Sequence, residues 1–270
     1  DPKTNLLYSP AHFTWMDTNF PACSPRAGYP IEIQALWYYA LVFLHKIDPL
    51  DSQKKIWKKM AFDVQKNVIK LFYRQNDGFF SDCLHSFESP KSALDCLPDD
   101  ALRPNQLFLI TLGLLKDCKG DEKEKYDKIA IKTLESCMEL LVPGAIRSLA
   151  DRKLLVPLHS YHKYWGTYQG DEDRSRKPAY HNGTAWTWQF PTFCEAWAEI
   201  FGQSGRSSQS AIETARSWLL SSFELLKKGA AGYIPEILDG DAPHNPKGCD
   251  AQAWGSSELV RVWLKLIEKK

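Results

Sequence analysis

A carboxylate set among aromatic and apolar residues occurs twice in this 270-residue chain, near its two ends. One is Asp17 in His12-Phe13-Thr14-Trp15-Met16-Asp17; the other is Glu236 in Gly232-Tyr233-Ile234-Pro235-Glu236-Ile237-Leu238-Asp239-Gly240. A carboxyl in such surroundings is poorly solvated when ionised, so it can keep a proton near neutral pH. Two such groups in one pocket supply the acid and the base that glycoside hydrolysis requires. Each also has a plainer reading: Asp17 as a solvated loop acid or helix cap, and Glu236, on a loop stiffened by Pro235, as the partner of a nearby Arg or Lys.

Other residue types fit a neutral, hydroxyl-rich ligand. The chain has ten Trp, eleven Tyr and thirteen Phe, many beside polar residues, and its formal net charge is only +1. Aromatic faces pack on pyranose C–H surfaces while polar neighbours read the hydroxyls. Near-neutral charge gives no electrostatic case for a nucleic acid or an acidic membrane. Arg26, between Pro25 and Ala27, and Arg103, before Pro104-Asn105-Gln106, either bond sugar hydroxyls, orient a carboxylate or anchor the structure. Glu32 opens the first clear helix, where an acid complements the helix dipole. His159, His162 and His181 lack a third ligand at zinc spacing. The acidic run Asp239, Asp241 and Asn245 is spoiled as a calcium loop by Pro243 and His244. With no phosphate-cradling glycine loop, no G-x-S-x-G and no C-x-x-C, neither a metal nor a cofactor is expected.

Helices have to position these groups. Apolar spacing predicts helices over 31–47, 52–72, 104–116, 123–141, 184–201, 209–227 and 252–267. Between them, 77–103, 143–183 and 230–250 read as long irregular loops that hold most of the unusual chemistry, including Tyr161, Tyr164, Trp165, Tyr168 and Tyr180. Strand signals are few and short, the best being Gly78-Phe79-Phe80-Ser81. No run of about 18 apolar residues crosses a membrane. Seven cysteines without close pairing and no apolar leader favour free thiols in a reducing, cytoplasmic setting. No linker interrupts the chain, so residues 1–270 read as one domain. With Asp17 so close to the first residue, that domain is expected to be part of a longer chain.

Five blocks resemble the amylo-α-1,6-glucosidase domain of glycogen debranching enzymes. They are Thr14-Trp15-Met16-Asp17; the run from Ser24 to Tyr38 with Pro25-Arg26-Ala27-Gly28-Tyr29-Pro30-Ile31-Glu32; Leu102-Arg103-Pro104-Asn105-Gln106-Leu107-Phe108; Tyr180-His181-Asn182-Gly183-Thr184-Ala185-Trp186-Thr187-Trp188; and Pro235-Glu236-Ile237-Leu238-Asp239-Gly240 with Ala251-Gln252-Ala253-Trp254. They follow the family's order across nearly the whole chain.

The resemblance implies an all-α (α/α)6 toroid, here incomplete at its N-terminus. It also implies an inverting glycoside hydrolase that releases glucose from α-1,6 branch points of glycogen-like glucans. On the same similarity Asp17 is the general acid and Glu236 the general base. Trp15, Arg26, Glu32, Trp37, Arg103, Asn105, Gln106, His181, Asn182, Trp186, Trp188, Gln252 and Trp254 are expected to bind the branched α-glucan. The rival readings are a noncatalytic glucan-binding fragment and another toroid α-glucosidase, since a fold does not determine a linkage.

Overall fold

Every segment with helical periodicity contains a helix in the computed structural model, which describes residues 1–19, 22–86, 89–116, 120–156, 162–202 and 208–268. His159, Tyr161 and Cys118 lie outside those residues. The chain opens with β1 (Gly28–Pro30), α1 (Ile31–Ile47) and α2 (Asp51–Phe72), and the two helices pack as a hairpin. β2 (Tyr73–Arg74) and β3 (Phe79–Phe80) pair around the turn Asn76-Asp77-Gly78, followed by β4 (Cys83–His85) and β5 (Leu97–Pro98). Next come α3 (Phe108–Thr111), α4 (Lys123–Cys137), β6 (Leu141–Val142), β7 (Ala145–Arg147), α5 (Asp173–Tyr180) and β8 (Ala185–Trp186). α6 (Phe190–Phe201), α7 (Ser208–Leu220), β9 (Ile237–Leu238), β10 (Pro246–Lys247) and α8 (Ala253–Glu268) complete the order.

The fold is largely helical but not all-α. The stretches expected as irregular loops hold β3, β4, β5, β7, β9 and β10, and the strands form antiparallel sheets ordered β1-β4-β5 and β10-β9-β8-β7-β6 besides the β2-β3 pair. Strands of two or three residues leave no room for apolar alternation, so the sequence pattern cannot announce them. Several helices are also shorter than their periodicity. Pro104–Leu107 is a 3-10 turn ahead of α3, which stops before Gly113 at φ 89°. Ala185 and Trp186, expected in helix, pair instead with β7 and β9, and α6 starts only at Phe190. The ends of α4 and α7 tighten to 3-10 turns over Met138–Leu140 and Ser221–Lys227. α5 escaped notice because only Pro178 and Ala179 of its eight residues are buried, too few to show a period.

Apolar helix faces build the main core, with Ile31, Ala35, Leu41, Val64, Val68 and Phe72 between α1 and α2, and Phe193, Leu219, Val262 and Leu266 among α6, α7 and α8. α8 is pinned to α6 by Arg261 Nη2 on Glu195 (2.7 Å) and Lys265 Nζ on Glu199 (2.6 Å), which sets the position of Gln252 and Trp254 at its start. Trp186, Trp188 and Ile237 form a second cluster, joined by Trp15, Phe108, Tyr168, Tyr180 and Trp254. Among the described residues no helix is long and apolar enough to cross a membrane. Cys23, Cys83, Cys96, Cys137, Cys194 and Cys249 are free thiols.

β1 pairs antiparallel with β4, and Gly28 makes that approach feasible. Its φ is 134°, and a Cβ there would lie 2.0 Å from the Leu84 carbonyl oxygen. Gly28→Ala should therefore destabilise the protein by about 1–3 kcal/mol from its backbone angle alone, with the clash adding to that. Urea denaturation should give a lower midpoint at unchanged slope; an unchanged midpoint would refute the packing argument.

Candidate active site

Glu236 sits one residue before β9, with its backbone N–H on the Cys249 carbonyl and its own carbonyl taken by the Thr187 N–H. Its side chain is 6% exposed. Oε1 accepts from the Tyr180 hydroxyl (2.5 Å) and from Gln252 Nε2 (3.0 Å), and Oε2 accepts from the Cys249 N–H (2.9 Å). All three partners are neutral donors, in place of the Lys or Arg that the plainer reading calls for. A loop backbone this close to a carboxylate needs a glycine: at Gly248, with φ 68°, a Cβ would stand 2.2 Å from Oε2. Burial, reinforced by its bond to the Glu236 carboxylate, pushes the Tyr180 phenol far above its ordinary pKa, so Tyr180 remains a donor.

Asp17 differs from its expected setting. It is exposed, and it is Met16 that turns inward, to 1% exposure. Met16 faces inward and Asp17 outward, so apolar neighbours in sequence do not bury the acid. Thr18 donates its hydroxyl to Asp17 Oδ1 at 3.4 Å and meets His181 Nε2 at 3.3 Å. A hydroxyl has a single hydrogen, so His181 carries its own on Nε2 and donates to Thr18. Burial, with Arg103 and Arg26 nearby, holds the His181 pKa well below 6.5 and the ring neutral. Two consecutive residues thus serve the two acids: Tyr180 reaches Glu236, and His181 reaches Thr18 beside Asp17.

Beneath this pair lies a buried charge cluster. Arg26 forms a two-pronged bridge to Glu32 (2.6 Å each), bonds Asp82 through Nε (2.7 Å) and Nη2 (3.1 Å), and donates to the Thr14 hydroxyl (2.9 Å). Burial opposes its charge, but the Asp82 and Glu32 carboxylates outweigh that and raise its pKa further. Arg103 approaches Asp82 through Nε (3.5 Å) and holds Ser148 O, His181 O and Asn182 Oδ1 with its two other nitrogens. Asn105 donates to Asp82 (2.7 Å) and accepts from Trp15 Nε1 (2.8 Å) and Gln189 Nε2 (2.9 Å). Gln106 bonds Phe80 N and Arg103 O, and Asn182 Nδ2 bonds Ala22 O and Pro178 O. The structure therefore puts Arg26, Glu32, Arg103, Asn105, Gln106 and Asn182 in the scaffold under the site, bonded to other parts of the protein. Trp37 is elsewhere, packed on the helical core with its N–H on the Asn5 carbonyl.

The indoles of the second cluster pack on one another beside Tyr180 and His181. Trp15 meets His181, Trp186 and Trp188 edge-on, and Trp188 stacks on Trp254 at 4.8 Å and 14°. Trp186 is 1% exposed, so it is a wall behind the site, whereas Trp15, Trp254 and Tyr168 keep partly open faces. Asp82, Tyr180 and Thr18 were not among the expected site residues. Asp82 had a signal, an acid inside the apolar run Phe79-Phe80-Ser81-Asp82-Cys83-Leu84, and Tyr180 stood in a recognised block. Thr18 had none.

A family model described as amylo-alpha-1,6-glucosidase matches residues 1–261. Among solved structures, the chain is similar to a bacterial glucoamylase in complex with acarbose, at TM-score 0.56 and 15% identity over 90% of this chain and 34% of that one. It is also similar to the neutral trehalase of Saccharomyces cerevisiae, at TM-score 0.51 and 16% identity over 88% of this chain and 38% of that one. Both are (α/α)6 glycosidase-type folds, and at this identity the likeness concerns fold. The chain spans well under half the length of either structure.

Two outcomes follow from the cluster. Asp82→Asn keeps the shape but leaves Arg26 and Arg103 with one carboxylate between them, and should cost about 3–5 kcal/mol in urea denaturation; a loss under about 1 kcal/mol would contradict a central role. His181 titrates lower folded than unfolded, so the unfolded chain binds the extra proton. Stability should be complete above the ordinary value of 6.5 and fall as the pH drops below it. In His181→Phe that part of the slope should vanish; persistence of the full slope would assign it to other groups.

Proposed function

We propose that this chain, which belongs to the amylo-alpha-1,6-glucosidase family, hydrolyses α-1,6-linked glucose stubs of branched α-glucans with inversion, Asp17 acting as general acid and Glu236 as general base. The observation that carries the reading is the contrast between the two acids. Glu236 is enclosed and held by three neutral donors, while Asp17 stands open, where a glycosidic oxygen can approach it.

In this reading the glucose ring lies against the open faces of Trp15 and Tyr168. Asp17 protonates the departing oxygen as the C1–O bond breaks. Glu236 takes a proton from a water that attacks C1 from the opposite face, giving the β-anomer and a free 6-hydroxyl on the glucan. Tyr180, His181 and Thr18 hold the two carboxyls, and the buried charge cluster grips the His181 backbone through Arg103. A branched α-glucan such as glycogen or its limit dextrin is the proposed partner. The free thiols, most of them buried, suit the reducing cytoplasm proposed as its location.

The test is glucose release from limit dextrin, followed by NMR of the first anomer formed. The wild-type chain should give β-glucose. Asp17→Asn and Glu236→Gln should each lower the rate by about 10²–10⁴-fold while still binding the glucan. An α-anomer first product would rule out inversion. Cleavage of maltose-type or trehalose substrates alone would replace the linkage, and glucan binding without turnover by the wild type would make this a binding module.

A further inference from the structure

The Glu236 carboxylate is not symmetric. A carboxylate oxygen offers about two acceptor directions. Oε1 has both filled, by the Tyr180 hydroxyl at 2.5 Å and Gln252 Nε2 at 3.0 Å. Oε2 has one filled, by the Cys249 N–H at 2.9 Å. The Gln252 amide has only one workable orientation, because the Trp254 indole N–H, which can only donate, takes its carbonyl oxygen. That leaves the Gln252 NH2 for Glu236. Trp254 is itself fixed by its stack on Trp188 at 4.8 Å.

We infer that Trp254, acting through Gln252, and Tyr180 together cap Oε1 and make Oε2 the oxygen of Glu236 that accepts the proton from water. The inference rests on Glu236 being the general base. It makes Trp254, Gln252 and Tyr180 positioning residues and not contacts of the sugar. It also gives Gly248 a purpose beyond the turn, since any side chain there would cover the one oxygen left open. Of the titratable groups near Glu236, Tyr180 and Tyr168 feel its charge, the Cys249 thiol lies beside Tyr180, and Lys247 stands across from Ile237 on β10, 4.0 Å from Asp239. Burial, with Glu236's own negative charge, pushes both phenols up.

The experiment measures kcat, KM and the pH dependence of kcat on limit dextrin for Trp254→Phe, Gln252→Met, Tyr180→Phe and the double variant of the first two. Trp254→Phe keeps an aromatic ring against Trp188 while removing the N–H together with the rest of the pyrrole ring. Gln252, half exposed, provides a variant that leaves the stack untouched. Each single change should lower kcat by about tenfold to a hundredfold, the rate equivalent of one hydrogen bond to a charged group, with KM within about twofold. The acid limb should move to higher pH, because an uncapped Oε1 holds its proton more tightly. The double variant should be no worse than Gln252→Met alone, as both changes break one line of contact. Additive losses, or a fall in kcat with the acid limb unmoved, would overturn the inference. Glu236→Gln separates the two levels. Activity retained there removes the catalytic reading itself. Activity lost there, with wild-type kcat and pH profile in Trp254→Phe and Gln252→Met, removes only the positioning.

Discussion

The buried carboxylate of Asp82 binds one guanidinium directly, draws a second to 3.5 Å and accepts from the Asn105 amide; both halves of the candidate site hang from those three groups. Arg26 extends from it to Thr14 and Glu32, tying the segment that carries Asp17 to the start of α1. Arg103 extends to the carbonyl of His181 and the amide of Asn182. Asn105 extends to Trp15. A charge at 2% exposure cannot remain unpaired, because its desolvation exceeds any other local energy. The two arginines and two carboxylates therefore have to assemble together, and the loops that bear them assemble with them. Buried ion pairs are a poor source of net stability, but they penalise every arrangement in which one partner is misplaced.

This cluster explains which parts of the molecule were legible in the sequence. Helices announce themselves because one apolar face repeats over several turns, and α1, α2 and α8 lie within a residue or so of their expected bounds. Ala185 and Trp186 carry the same apolar character, but their backbone groups are claimed by β7 and β9, a tertiary demand that no local pattern contains. Glu236 could be picked out because Pro235 and its apolar neighbours do enclose it. Asp17 has equally apolar neighbours in sequence and yet is exposed, since the fold turns Met16 inward and the acid outward. Composition alone cannot tell those two outcomes apart.

The site residues that escaped notice share one property: they act through another residue. Asp82 touches neither acid and works through Arg26, Arg103 and Asn105. Asn105 and Arg103, expected against sugar, are spent within the scaffold, Asn105 through its whole amide and Arg103 through both terminal nitrogens. A sequence shows which residue types could meet a glucan but not which of them the fold uses up first. Polar residues in a recognised block divide into those that face the ligand and those that hold the facing residues, and burial is what sorts them.

The division of labour between Tyr180 and His181 connects this scaffold to the chemistry proposed for it. Adjacent Cα atoms are about 3.8 Å apart across a trans peptide, so supports on consecutive residues cannot drift apart as helices breathe. The two attachments nevertheless differ in stiffness. Tyr180 meets Glu236 at 2.5 Å with two further donors on the same carboxylate, whereas Asp17 is reached only through Thr18, across contacts of 3.3 and 3.4 Å. A base must hold a small water at one distance and angle, while an acid must follow a leaving oxygen attached to a large and variable glucan. A rigid Glu236 and a compliant Asp17, both referred to one peptide unit and through Arg103 to Asp82, suit the base and acid roles proposed for them.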